Sequence, residues 1–139
     1  MGTWSHESFG NDTACDWAYE LEGITDLSVI ESTIDRVLES EDEYLEAPDA
    51  EEAIAAIEVI AKLLGNGTQS DSYTERADAW VKENNLRPSA ELIQKAKNAL
   101  SKILSENSEL AELWEESEEW KSEISKLLLS ISSSRLCNN

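Results

Sequence analysis

One stretch of sequence, residues 50–64, limits the possible folds more than any other part of the chain. Apolar residues recur in it at spacings of three and four, and further alanine, valine and leucine residues widen the apolar surface to more than half of a helix. What remains is a narrow polar strip that includes Glu51, Glu58 and Lys62. Because a helix this apolar is stable only when other elements cover it, we expect it at the centre of a helical bundle.

Capping residues and the helix-breaking glycines, Gly23 and Gly65-Asn66-Gly67, divide the rest of the chain into five further helices. The expected segments start at Asn11 or Asp12, at Thr25 or Asp26, at Thr74, at Pro88-Ser89, and at Asn107 or Ser108. Asp49 is well placed to cap the central helix. No segment shows the alternation that is typical of a strand. We therefore predict an all-α fold, a compact single domain over residues 1–139 with about six helices, an irregular arm at 1–10 and a frayed tail at 132–139.

The charge of the chain limits the choice of partner. Thirty acidic residues stand against 11 lysines and arginines, which gives a net charge of −19 at pH 7. Nucleic acids and anionic membranes attract proteins through Lys and Arg, so we expect neither to be a partner. A basic protein is the partner that such a field attracts. An alternative interpretation, that the charge serves solubility alone, stays open at this point.

Residues with catalytic or metal-binding chemistry are sparse in the sequence. His6 is the single histidine, and Cys15 and Cys137 do not have the C-x-x-C spacing of a redox or metal motif. The sequence has no Glu-x-x-His pair, calcium loop or glycine-rich phosphate loop. We therefore expect no enzyme activity, no cofactor and no dedicated metal site. We also expect a cytoplasmic protein with reduced thiols, because neither a signal peptide nor a run of about 20 apolar residues is present; a bridge between the two cysteines stays open.

Two acidic surfaces are candidates for binding a partner. The preferred one is the connection before the central helix, where acids are interleaved with apolar side chains and so combine steering charge with anchors. Its candidate residues are Glu41, Asp42, Glu43, Tyr44, Leu45 and Glu46. The second is the outer face of the last helix, with candidate residues Glu112, Glu115, Glu116, Glu119, Trp120 and Glu123. Trp120 is either an exposed anchor among acids or a residue at the rim of the core, and we favour the rim.

The opening of the chain resembles the N-terminal signature of a bacterial family of unknown function. That signature, M-G-x-W-G-x-G-x-F-x-N-D-x-A-x-D-W, is matched at Met1-Gly2-Thr3-Trp4, Phe9, Asn11-Asp12-Thr13-Ala14 and Asp16-Trp17. The similarity continues in the segments 52–61, 79–81 and 107–116, followed by Trp120. Ser5 and Glu7 stand where the pattern has glycines. The resemblance implies no activity. The Trp and Phe positions of the signature, Trp4 and Phe9 in this chain, imply two aromatic anchors. Its Asn-Asp position, Asn11-Asp12, implies a helix cap.

Three hypotheses for function follow. The leading one is an immunity or antitoxin-type protein that binds and neutralises a basic toxin, such as a nuclease, because a small acidic fold associates rapidly with a cationic partner. The second is an intracellular helical adaptor that acts on no toxin. The third is an enzyme that uses clustered carboxylates, which is disfavoured because the sequence has no recognisable catalytic constellation.

Overall fold

Seven α-helices make up most of the structure, a computed structural model that describes residues 9–39, 44–69, 74–84, 86–105, 108–114 and 117–132. In chain order they are α1 (Asp12–Ala18), α2 (Ser28–Glu39), α3 (Ala47–Leu63), α4 (Glu75–Asn84), α5 (Ala90–Ile103), α6 (Glu109–Leu113) and α7 (Glu118–Ser132). A 3₁₀ helix, Tyr19–Leu21, follows α1 directly. Within these ranges the strand-like pairing is limited to an isolated bridge between Leu45 and Ser108. The predicted all-α fold is confirmed.

Helix α3 is the centre of the bundle, as its apolar surface predicted. It contacts each of the other α-helices named above. Ala53, Ala56, Ile57 and Ile60 are fully buried in it. The alanines along this helix present little side chain, so neighbouring helices can pack close to its backbone.

The start of α3 differs from the prediction. The helix begins at Ala47, and Asp49 lies in its first turn and does not cap it. Glu46 occupies the capping position but its side chain makes no capping hydrogen bond. The first backbone N–H, that of Ala47, donates instead to Glu109 Oε1 of α6 at 2.8 Å. A tertiary contact thus satisfies a helix terminus for which the local sequence predicted an aspartate.

The polar strip predicted for α3 is covered. Glu58 is fully buried, because the loop after the helix folds back over it. The carboxylate accepts hydrogen bonds from Thr68 N at 2.6 Å, Thr68 Oγ1 at 2.5 Å and Gln69 N at 3.0 Å. Lys62 Nζ lies 3.9 Å from Glu58 and 2.7 Å from Asp78 of α4. Glu58 and Lys62 of the strip therefore belong to a polar network that joins α3, its following loop and α4.

The last predicted helix is divided in two. Ser108 caps α6 by accepting from Ala111 N at 3.2 Å. The chain leaves the helical conformation at Trp114, and Ser117 then accepts from Trp120 N at 3.1 Å at the start of α7. This second serine cap is the local reason for the break. The bundle consequently has seven α-helices in its described ranges, one more than predicted.

Several local predictions are confirmed at the helix ends. Asn11 caps α1 through Ala14 N at 2.7 Å, and Ser89 caps α5 through Leu92 N at 3.0 Å. Gly23 and Gly65 have φ values of +78° and +85°, which permit the reversals after the 3₁₀ helix and after α3.

The N-terminal arm is described from Phe9 onwards. The Phe9 ring is fully buried, as expected of an aromatic anchor. The backbone N–H of Phe9 donates to Gln69 Oε1 at 2.7 Å. The Cys15 thiol donates to the Phe9 carbonyl at 3.7 Å. Predictions for Trp4, His6, Cys137 and the tail after residue 132 fall outside the described residues.

Candidate protein-binding surface

The acidic connection and α6 meet in space although they are far apart in sequence. Leu45 and Ser108 form a parallel bridge, and Glu109 N donates to the Leu45 carbonyl at 2.8 Å. The Glu109 carboxylate reaches back to Ala47 N. These contacts hold Tyr44, Glu46, Glu109 and Glu112 side by side, and we call these four residues the 44–112 surface.

Tyr44 is the aromatic group of the 44–112 surface. Its side chain is half exposed, at 49%, and its hydroxyl donates to Glu112 Oε1 at 2.5 Å. This hydrogen bond raises the pKa of Tyr44 to about 12, with smaller contributions from desolvation and from the negative charges of Glu112 and Glu109. The phenol is protonated at physiological pH, as tyrosine ordinarily is, and it presents a ring whose oxygen is held by an acid.

Two described residues of the preferred candidate connection differ in their exposure to solvent. Glu46 is exposed, as a steering charge should be. Leu45 is 1% exposed, so the prediction that it serves as an apolar anchor for a partner is wrong. Its backbone pairs with α6, and this pairing turns the side chain into the core. Glu41, Asp42 and Glu43 fall outside the described residues.

The second candidate surface is not one continuous helix face. Glu112 lies on α6 and belongs to the 44–112 surface, whereas Glu119 and Glu123 lie on α7. Trp120 is 3% exposed, which agrees with the favoured interpretation that it belongs to the core. Glu123 pairs with Lys126 at 2.9 Å, which neutralises part of this face. Glu115 and Glu116 fall outside the described residues.

The two chain segments that form the 44–112 surface carry acidic side chains and no basic ones. The sequence contains no lysine or arginine in residues 37–61, nor in residues 103–120. These two segments supply the four members of the surface. Arg36 of α2 reaches only the neighbouring first turns of α3, where it pairs with Glu52 at 2.8 Å. An anion-rich patch with an aromatic ring held in it suits contact with a cationic partner.

Sequence reasoning missed the part played by Glu109. It belongs to neither surface that the sequence predicts, yet its backbone and carboxylate fasten α6 to the start of α3. The sequence signal available was its position directly after a serine cap, which indicates a helix start and not a contact with a residue 62 positions away.

Neither a metal centre nor a membrane-spanning helix is found in the part of the chain that the structure describes. Within the described ranges, no group of three or more His, Cys, Asp or Glu side chains is arranged to hold a metal ion. Among the helices of these same ranges, none has the length and apolar character needed to cross a membrane.

The fold and the 44–112 surface define a small, acidic, all-helical protein. The chain belongs to the family described as domain of unknown function DUF4259, whose model matches residues 2–124. The resemblance to an uncharacterised family is thereby confirmed. Comparisons with curated proteins and with solved structures find no match.

Proposed function

We propose that this chain is an acidic protein-binding module of the immunity or antitoxin type, which binds and neutralises a basic toxin in the cytoplasm. A nuclease is the kind of toxin that fits best, because proteins that act on nucleic acid carry basic surfaces. The observation that supports the proposal is the junction of two segments free of lysine and arginine around the half-exposed ring of Tyr44.

Each component of this surface has a physical part in such binding. The exposed carboxylates of Glu46 and Glu112 attract a basic partner and raise its association rate. The Tyr44 ring supplies apolar contact area, which slows dissociation once the partner is seated. Because the hydroxyl is already held by Glu112, little side-chain entropy is lost when the ring is covered.

The proposal is tested by capture of the partner from cells in which the protein naturally occurs. The tagged chain should retain a basic protein at low salt and release it as salt rises, since screening weakens the attraction. Production of that partner alone should arrest growth, and co-production of the chain should restore it. The growth assay is then repeated with Tyr44→Ala combined with Glu112→Lys, which should restore growth poorly.

The outcomes of this test separate the two leading hypotheses. A basic partner that leaves growth unaffected when produced alone would favour the helical adaptor. Capture of an acidic partner, or of one whose retention does not depend on salt, would contradict electrostatic recognition altogether. The matched control is Glu20→Lys with Glu91→Lys, two exposed acids outside the 44–112 surface, which should protect as well as the unaltered chain.

A further inference from the structure

The chain holds one of its own arginines at the surface with a tyrosine and a glutamate. The guanidinium carbon of Arg76 lies 3.8 Å from the centre of the Tyr19 ring. Arg76 Nη1 also donates a hydrogen bond to Glu22. Tyr19 is 55% exposed and the Glu22 side chain is 60% exposed, so this contact forms beside water. It is an example, on this protein, of an exposed ring and a carboxylate that together hold a guanidinium.

The 44–112 surface has the same two kinds of group, a ring and carboxylates. Tyr44 is exposed to about the same extent as Tyr19, and its hydroxyl bonds to Glu112. Within the described ranges, no lysine or arginine forms an ion pair with Glu46, Glu109 or Glu112. The described part of the chain therefore supplies the ring and the carboxylates of this surface but no cation for them.

The hydrogen bond from Tyr44 to Glu112 favours a guanidinium at both groups. A phenol that donates to a carboxylate carries more negative charge on its oxygen and its ring, which strengthens the attraction of the ring face for a cation. The carboxylate keeps lone pairs for further donors, because the phenol occupies only one of its acceptor sites. A guanidinium has a flat face that covers a ring and N–H groups at its edge that bind carboxylates. A lysine ammonium has no such face and is more strongly hydrated.

We infer that the 44–112 surface recognises an arginine side chain of its protein partner in preference to a lysine. The guanidinium lies on the Tyr44 ring and donates from its edge to Glu112. The inference rests on the proposed function for the existence of a basic partner, and it adds the type of residue that this partner presents. Because negative charge alone attracts either cation, the ring is the group that discriminates between them.

The test is an NMR titration of the full chain with N-acetyl-arginine methylamide and with N-acetyl-lysine methylamide, at about 0.15 M salt to screen long-range attraction. Both compounds carry a single positive charge, so a difference between them reports the head group. The arginine compound should shift the amide signals of Tyr44, Glu46 and Glu112 saturably. It should bind at least about threefold more tightly than the lysine compound, as expected of a cation–π contact at an exposed site. The Tyr19 signal should move much less, because that ring already holds Arg76.

Substitutions of Tyr44 separate the effect of the ring from that of charge. Tyr44→Leu removes the ring and leaves every charge in place, so the two compounds should then bind within about 1.5-fold of each other. Tyr44→Phe keeps the ring and should keep a preference for arginine of at least about twofold. The matched control is Tyr19→Leu, which removes an exposed ring outside the 44–112 surface and should leave the preference unchanged. Circular dichroism of the two Tyr44 variants should match that of the unaltered chain, because the side chain is half exposed.

Three results would overturn the inference. Equal affinity of the two compounds for the unaltered chain would leave the basic partner of the proposed function standing and remove its preference for arginine. Shifts spread over the acidic residues of the whole chain, without saturation at Tyr44 and Glu112, would mean that the net charge alone attracts the cation. Tighter binding of free arginine than of the capped compound would assign the surface to the amino acid and not to a protein. The titrations use the chain alone, so a clear preference for arginine combined with capture of no toxin would count against the toxin-binding role and not against the arginine site.

Discussion

Ile57→Asp should leave the protein unfolded at room temperature. Ile57 is fully buried in α3, which contacts every other α-helix, so the new carboxylate has neither water nor a cation to compensate it. A buried unpaired charge costs more than the roughly 5–15 kcal/mol by which domains of this size are stable, unless the group takes up a proton. Far-UV circular dichroism should show loss of the helical signal at neutral pH.

The control for this substitution is Ile57→Val, which removes one methylene group and should cost only about 0.5–1.5 kcal/mol. Its helical signal should therefore equal that of the unaltered chain at room temperature. A folded and cooperative Ile57→Asp protein at neutral pH would contradict the central position of α3.

Glu58→Gln should cost about 3 kcal/mol of unfolding free energy. The buried carboxylate accepts three hydrogen bonds from Thr68 and Gln69, and an amide places an N–H₂ group against at least one of these donors. Removal of the charge also leaves Lys62, whose side chain is 7% exposed, with a weaker set of partners. Loss of one member of a buried charge pair typically costs about 3–5 kcal/mol. Urea unfolding of the two proteins measures the difference.

A matched control lies on the same helix. Glu52 pairs with Arg36 at 2.8 Å at the surface, and Glu52→Gln should cost less than about 1 kcal/mol. The Glu58 substitution should also speed hydrogen exchange at the Phe9 amide, because Gln69 positions the acceptor of that amide. If Glu58→Gln and Glu52→Gln lower the free energy of unfolding by the same amount, Glu58 is not part of a buried network.

The features that the sequence predicted correctly are those with local causes. The apolar surface of residues 50–64 is a property of that stretch alone, and its consequence, a central position in the bundle, is observed. The caps Asn11 and Ser89 act on backbone groups three residues away. The reversal after α3 depends on Gly65, for which the preceding pattern offered a direct signal.

The features that were missed depend on contacts between distant residues. Glu58 lies on the side of α3 that the sequence pattern assigns to solvent. Its burial is explained only by the loop that folds back over it. From the sequence, Leu45 is predicted to be an exposed anchor, because its pairing with α6 leaves no signal in the neighbouring residues. The break between α6 and α7 depends on a serine cap inside a pattern that otherwise continues as one helix.

The candidate surface likewise combines features that the local sequence predicts with features that depend on contacts between distant residues. The sequence predicts two competing acidic faces, with Tyr44 on one of them and Glu112 on the other. The structure joins these two residues by a hydrogen bond of 2.5 Å between positions 68 apart in sequence. Composition and charge therefore indicated the kind of surface, whereas its actual members required the tertiary fold.

The most direct measurement of the central claim is the kinetics of binding to the captured basic partner at low and physiological salt. Glu46→Lys with Glu112→Lys should slow association at least about tenfold at low salt, where steering is strongest, and the difference should shrink as salt rises. Tyr44→Ala should speed dissociation about thirtyfold, which corresponds to the loss of about 2 kcal/mol of an aromatic anchor. The Glu20→Lys with Glu91→Lys control should change neither rate by more than about twofold. Unchanged kinetics in the first two variants, with a weakened complex in Glu119→Lys of α7, would contradict the proposal and place the binding site on the other acidic face.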